Sequence, residues 1–129
     1  MEKINSEDMK VLLKSQQGEL DAVLMYNALA DRVKNEKDAA VFRTLAAEEG
    51  HHAAVFKALT GQTLKPKKTL ATAVPLLYRV LGKKRLYPII AKFEYGAVNT
   101  YRPVAEKFPE VESVKNDEHR HGDMVSELL

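Results

Sequence analysis

Four glutamates and two histidines in this 129-residue chain stand at spacings that suit a pair of metal ions. Glu19 and Glu94 each open a stretch of form Glu-x-x-Ala-x-x-x-Tyr, ending at Tyr26 and Tyr101. Glu49-x-x-His52 and Glu118-x-x-His121 each follow one of these stretches. Residues three apart on a helix share a face, so each Glu-x-x-His pair presents a carboxylate and an imidazole together. Two helices giving one carboxylate each, with two giving Glu-x-x-His, form the ligand set of a carboxylate-bridged two-metal site in a four-helix bundle. Chance alone would place roughly 0.4 Glu-x-x-His pairs in such a composition. The chain has three, at Glu48, Glu49 and Glu118.

Two of the three pairs overlap, and the surrounding stripes separate them. Phe42, Leu45, Glu49, His52, Phe56 and Leu59 fall on one helix face that is apolar at both ends and polar in the middle. The competing stripe through Glu48 and His51 is less apolar, and its counterpart later in the chain holds Asp117 and Arg120, which is no ligand pair. Glu49 and His52 are therefore assigned to the metal, while His51 and His119 are expected at the surface.

A single glutamate on a helix is ordinarily solvated. Here each of four lies midway along an inward apolar stripe, where an uncompensated carboxylate costs several kcal/mol. Buried Lys or Arg could compensate, but none occupies the equivalent inward positions. Two divalent cations balance four carboxylates, and two neutral imidazoles complete the coordination. Oxygen-rich ligation with one imidazole per ion suits iron or manganese better than structural zinc. Bridging glutamates would hold the ions about 3.5–4 Å apart, close enough to act on one oxygen species.

The elements that must position these groups are helices. A first is expected from about Ser6 to Lys34 and a second from about Asp38 to Leu59, ending at Gly61. A basic connection, Lys65-Pro66-Lys67-Lys68, leads to a short apolar segment from Ala73 to Leu81. A third helix covers about Lys84 to Lys107, with Pro103 threatening a late kink; a fourth starts at Pro109 and runs to the C-terminus. The second stripe repeats in the fourth helix as Val111, Val114, Glu118, His121, Val125 and Leu128. Leu12, Glu19, Ala22, Val23 and Tyr26 likewise align with Tyr87, Glu94, Ala97, Val98 and Tyr101. The expected fold is all-α: a single domain over 1–129, a four-helix bundle of two repeated helical hairpins with a long crossover containing a short helix.

Composition narrows the function classes. A net charge of +2 without a basic, aromatic-interleaved stripe argues against nucleic acid. The absence of cysteine excludes disulfides, iron–sulfur ligation and thiol nucleophiles. The first thirty residues hold no signal-peptide core, and no apolar run approaches ~20 residues. A cytoplasmic location is expected and membrane contact is not.

The segments Glu19–Tyr26, Ala47–Ala53, Glu94–Tyr101 and Asp117–Gly122 resemble the rubrerythrin-like branch of the ferritin-like superfamily. The resemblance implies two iron ions per chain, with manganese or a mixed pair fitting the same ligands, and chemistry on hydrogen peroxide or dioxygen. Carried over by position, Glu49 and Glu118 would bridge, Glu19 and Glu94 would be terminal ligands, and His52 and His121 would bind one iron each. It also implies a homodimer and an external electron donor, rubredoxin-like or a flavoprotein, because the rubredoxin-type domain of rubrerythrins needs cysteines this chain lacks. Rubrerythrins carry an extra glutamate one turn after the third-helix ligand; here that residue is Ala97. The sequence around Glu94 is also similar to demethoxyubiquinone hydroxylases, so monooxygenase chemistry is an alternative, and iron storage is another.

Tyr26 and Tyr101 lie two turns beyond a ligand glutamate, as catalytic or hydrogen-bonding phenols or as plain core residues. Glu48 and Asp117 could hold the outer nitrogen of a ligand histidine, with surface charges the expected reading. Gly18, Gly50, Gly96 and Gly122, each within two residues of a ligand, suggest close packing or an access path. The apolar segment 73–81 with Lys83-Lys84-Arg85 is expected to cap the bundle or fill a dimer contact, with a membrane-surface or quinone-related role as the alternative because apolar residues stand beside basic ones.

Overall fold

The computed structural model describes residues 3–129. It contains five helices: α1 (Ser6–Arg32), α2 (Glu36–Thr60), α3 (Thr69–Leu81), α4 (Lys83–Lys107) and α5 (Val111–Ser126). No strand occurs among the described residues. The architecture is an all-α ferritin-like bundle of α1, α2, α4 and α5, with α3 as the short helix of the crossover. No helix is long and apolar enough to cross a membrane.

The helix ends follow local chemistry. Asn5 caps α1 by accepting from the Asp8 amide at 2.8 Å, and Asn35 caps α2 by accepting from the Asp38 amide at 3.1 Å. Ser6, where the first helix is expected to start, is the first helical residue. Gly61 closes α2 in the left-handed region at φ 69°, where a side chain would be strained. The crossover helix starts at Thr69, four residues before the apolar segment suggested. α4 runs through both Pro88 and Pro103 without ending. Pro109 is not the first helical residue: Phe108–Glu110 form a turn and α5 begins at Val111.

Burial follows the two aligned stripes. Phe42, Leu45, Glu49, His52 and Phe56 are buried, as are Val111, Val114, Glu118, His121 and Val125. One apolar cluster, centred on Tyr26, Leu29, Phe42, Tyr87 and Val125, lies above the polar belt. A second, around Leu12, Phe56, Tyr101 and Val114, lies below it. Buried Asp38 accepts from the Tyr87 hydroxyl at 2.9 Å and pairs with Lys83 at 3.3 Å, tying the start of α2 to the start of α4. At the other end, Lys107 meets Asp8 at 2.9 Å.

The packing is uneven around the bundle. α1 packs along α2, and α4 along α5, while α2 crosses α5. The backbones of α1 and α4 do not meet. α3 lies against α1 and covers the upper part of that side, with Tyr78 stacked on Tyr87 of α4. Below it, a groove of about 1290 Å³ opens between α1 and α4.

Gly122 has a direct packing role, because an added Cβ would lie 2.4–2.7 Å from the ring of Tyr95, whose hydroxyl donates to Asp123 at 2.6 Å. Gly122→Ala is therefore expected to lower stability by about 1–2 kcal/mol through overpacking. In a Tyr95→Ala background the same change should be neutral or stabilising, since alanine favours helix. Thermal melts of the four proteins check this; equal penalties in both backgrounds would remove the steric explanation.

Candidate metal centre

Each of the four bundle helices brings its acidic residue to the same level. Glu19 from α1, Glu49 and His52 from α2, Glu94 from α4, and Glu118 and His121 from α5 are all at most 5% exposed. Two overlapping groups of possible ligands result: Glu19, Glu49, His52 and Glu118, and Glu49, Glu94, Glu118 and His121. In each group one donor atom per residue lies within 4.8 Å of the others. All six residues singled out from the sequence are brought together. No Lys or Arg is buried among the described residues.

The two histidines face the cluster through Nδ1. His52 Nδ1 lies 3.2 Å from Glu19, 2.9 Å from Glu49 and 3.1 Å from Glu118. His121 Nδ1 lies 3.3 Å from Glu49, 3.4 Å from Glu118 and 3.7 Å from Glu94. Glu49 and Glu118 thus approach both imidazoles, whereas Glu19 and Glu94 each approach one. Among the described residues, six buried side-chain atoms lack a hydrogen-bond partner: Glu19 Oε2, Glu49 Oε1, His52 Nδ1, Glu94 Oε2, Glu118 Oε1 and His121 Nδ1. One orphan from each of six residues, all facing one space, is the donor set that two cations would satisfy.

The outer imidazole nitrogens are held by acids on the opposite helix. His52 Nε2 lies 2.8 Å from Asp117 of α5, and His121 Nε2 lies 3.0 Å from Glu48 of α2. Arg120 bridges the two acids, bonding Glu48 and reaching Asp117 at 3.1 Å. Glu48 and Asp117 are therefore not plain surface charges. The antiparallel crossing of α2 and α5 carries the residue before each ligand glutamate to the other helix's histidine. Partial burial works against ionising these acids, but hydrogen bonds from Arg120 and the histidines hold both below the usual carboxylate range. Sequence reasoning missed Arg120. Its signal was its place three residues after Asp117, where the duplication aligns it with His51. His51 and His119 are exposed, as expected.

The two tyrosines break the internal symmetry. Tyr26 is fully buried and donates to Glu94 Oε1 across the bundle, leaving Oε2 facing the cluster. Burial and the neighbouring carboxylates push its phenol well up, so it stays a donor. Tyr101 occupies the matching place in α4, yet its hydroxyl has no protein partner among the described residues. It packs against Phe56 and lines the α1–α4 groove. Gly18 and Gly96 line the same groove with open space beside them, which fits the access path rather than close packing.

Protonation without bound ions follows from these contacts. Burial pulls the imidazolium of His121 down, but the close carboxylates of Glu118, Glu49 and Glu94 outweigh it and push it up to about 12. His52 is raised in the same way, against burial, by Glu118, Glu19 and Glu49. Burial raises Glu19 and Glu94. Glu49 moves the other way: burial raises it, but the adjacent imidazoles of His121 and His52 bring it below its ordinary value. Raised groups bind more protons folded than unfolded, so their stabilisation is present at low pH and fades as pH rises through the folded values. Cation binding displaces these protons. Loading a divalent ion pair should release on the order of two to four protons, read with a pH indicator in weak buffer. The gap in Tm between loaded and chelated protein should widen from about pH 6 to about pH 9; a constant gap would contradict the assignment.

Searches of curated proteins and of solved structures return no match to this chain. The rubrerythrin family model matches residues 10–129. That span holds all six residues of the cluster together with Tyr26, Tyr101 and Arg120, and the chain belongs to the rubrerythrin family.

Proposed function

We propose that the chain is a di-iron oxidoreductase that reduces hydrogen peroxide or dioxygen, as a peroxidase or ferroxidase. The observation that carries this reading is the set of six orphaned donor atoms, one per residue, enclosed in the bundle. Glu49 and Glu118 would bridge because they alone face both imidazoles. Glu19 and Glu94 would be terminal ligands, and His52 and His121 would each hold one ion. A bound iron pair would supply two electrons and open positions for the oxidant.

The protein's own groups prepare that chemistry. With ions bound, Glu48 and Asp117 would accept the Nε2 proton of His121 and His52, leaving the Nδ1 lone pair inward. Arg120 keeps both acids ionised and in place. Tyr26 holds one oxygen of Glu94 so that the other keeps its direction. Tyr101, protonated because burial and the four glutamates push its phenol well up, is positioned on the groove side to donate to a reduced oxygen. Reducing peroxide to two waters takes up two electrons and two protons. With no cysteine in this sequence, the electrons would come from a donor outside it, rubredoxin-like or a flavoprotein.

One observation favours a second reading. The groove is lined by Val11, Ile89, Phe93, Ala97 and Tyr101, large and apolar enough for an organic substrate. Monooxygenation of an apolar molecule, as in demethoxyubiquinone hydroxylases, would use that space. Peroxide turnover by reduced, iron-loaded protein supports the first reading. Iron-loaded protein that leaves peroxide intact while hydroxylating a quinone supports the second. A many-subunit shell in light scattering would indicate storage.

Glu49→Ala and Glu118→Ala should each abolish binding of the ion pair and all turnover, measured by iron stoichiometry and peroxide consumption. Tyr101→Phe should retain the iron and slow the reaction, whereas a variant with unchanged rates would remove Tyr101 from the mechanism. Glu48→Gln and Asp117→Asn should each weaken metal binding about 10–100-fold, in line with the effect of losing a histidine's outer partner. Arg120→Ala should weaken both half-sites together. Cobalt titrations followed optically check this, and full affinity in all three would show that the outer acids do not orient the imidazoles.

A further inference from the structure

Charge is strongly segregated along this chain. Residues 65–93 hold eight Lys or Arg and no Asp or Glu, leaving twelve cations against eighteen carboxylates in the remainder. No acidic residue lies between Glu49 and Glu94. Within 65–93 only Lys83 has a carboxylate partner among the described residues, and it points to buried Asp38. The other seven cations face solvent without an ion pair.

The exposed apolar side chains gather on the same segment. Of eight large hydrophobic residues exposed among those described, six are Leu70, Leu76, Leu77, Val80, Ile89 and Phe93. Val80 is 72% exposed and Phe93 76%. α3 buries Val74 against the bundle, while its outward strip carries Leu76, Leu77 and Val80 with Arg79 at the edge. The outward face of α4 carries Arg85, Ile89, Lys92 and Phe93. α3 packs on α1 and meets α4, and Ile89, Lys92 and Phe93 of α4 line the α1–α4 groove below it.

We propose that this α3–α4 face docks on the surface of an anionic lipid bilayer. Leucine, valine and phenylalanine side chains enter the acyl boundary, and the unpaired cations meet lipid phosphates. A second copy of the chain fits less well: a two-fold contact through this face would set a strongly cationic surface against itself. Nucleic acid would leave the aliphatic residues without a dry partner. The lack of a spanning segment does not bear on this contact, which the sequence leaves as the lesser alternative for the 73–85 segment. A helix lying in the interface needs no span.

Vesicle co-sedimentation of the full chain tests the proposal. The protein should pellet with phosphatidylcholine vesicles containing about 30% phosphatidylglycerol at low salt, and not with phosphatidylcholine alone. Raising salt from about 0.05 to 0.5 M should weaken the binding. Combined Lys84→Gln, Arg85→Gln and Lys92→Gln should reduce partition on the order of a hundredfold. Leu76→Ser with Val80→Ser should also reduce it, although every charge is kept, and circular dichroism should show both variants folded. Failure to bind anionic vesicles at low salt overturns the proposal. So does binding that the serine variant leaves unchanged, or a dimer in light scattering that this variant converts to monomers.

Discussion

The burial of four carboxylates in an apolar bundle is the constraint from which the rest of this structure follows. Each would cost several kcal/mol if left ionised and unpaired, against a total stability of about 5–15 kcal/mol for a domain of this size. The fold meets that cost with the two imidazoles, which take up protons between the glutamates, and with the raised protonation of Glu19 and Glu94. Protons on the imidazoles and on Glu19 and Glu94 lower the negative charge of the belt. Two divalent ions can then replace those protons. The folded bundle is thus compatible with both protonated and ion-loaded forms, and the exchange between them is linked to pH.

The duplicated hairpin explains why such a site can be assembled from so little sequence. A single inward stripe with one polar interruption, written twice, provides two Glu-x-x-His pairs at the same height. A second stripe, also written twice, provides the facing glutamates. Outside this inner ring the two halves diverge. Tyr26 reaches Glu94, while Tyr101 opens to the groove; Arg120 replaces the counterpart of His51 and locks both outer acids. Symmetry is retained where charge must balance and lost where the two sides face different surroundings.

The inner ring was legible because burial and ligation share one periodicity. Glu49 and His52 were separable from Glu48 and His51 only through the flanking Phe42, Leu45 and Phe56, and the burial of these residues follows that reading. Helix ends were less legible. Asn5 and Asn35 cap the first two helices through side-chain oxygens that a neighbouring serine or aspartate could equally have supplied. The roles of Glu48, Asp117 and Arg120 depend on how α2 crosses α5, and a one-dimensional pattern does not contain a crossing. The same holds for Gly122, whose need for a bare Cα comes from Tyr95 on another helix.

The crossing pattern also divides the molecule into a tied side and an open side. Along α2 and α5, the Arg120 network links both histidines to acids on the opposite helix, so neither imidazole can turn independently. Along α1 and α4, the backbones stand apart, the glycines beside Glu19 and Glu94 carry no side chains, and Tyr101 lines the gap. Glu19 and Glu94, the glutamates that approach only one imidazole each, belong to the two helices that border this gap. Rigid support on one side with an open groove on the other would let a reactant approach without loosening the groups that could hold the ions. A bundle packed equally tightly on all four sides would hold the ions as firmly but offer no such approach.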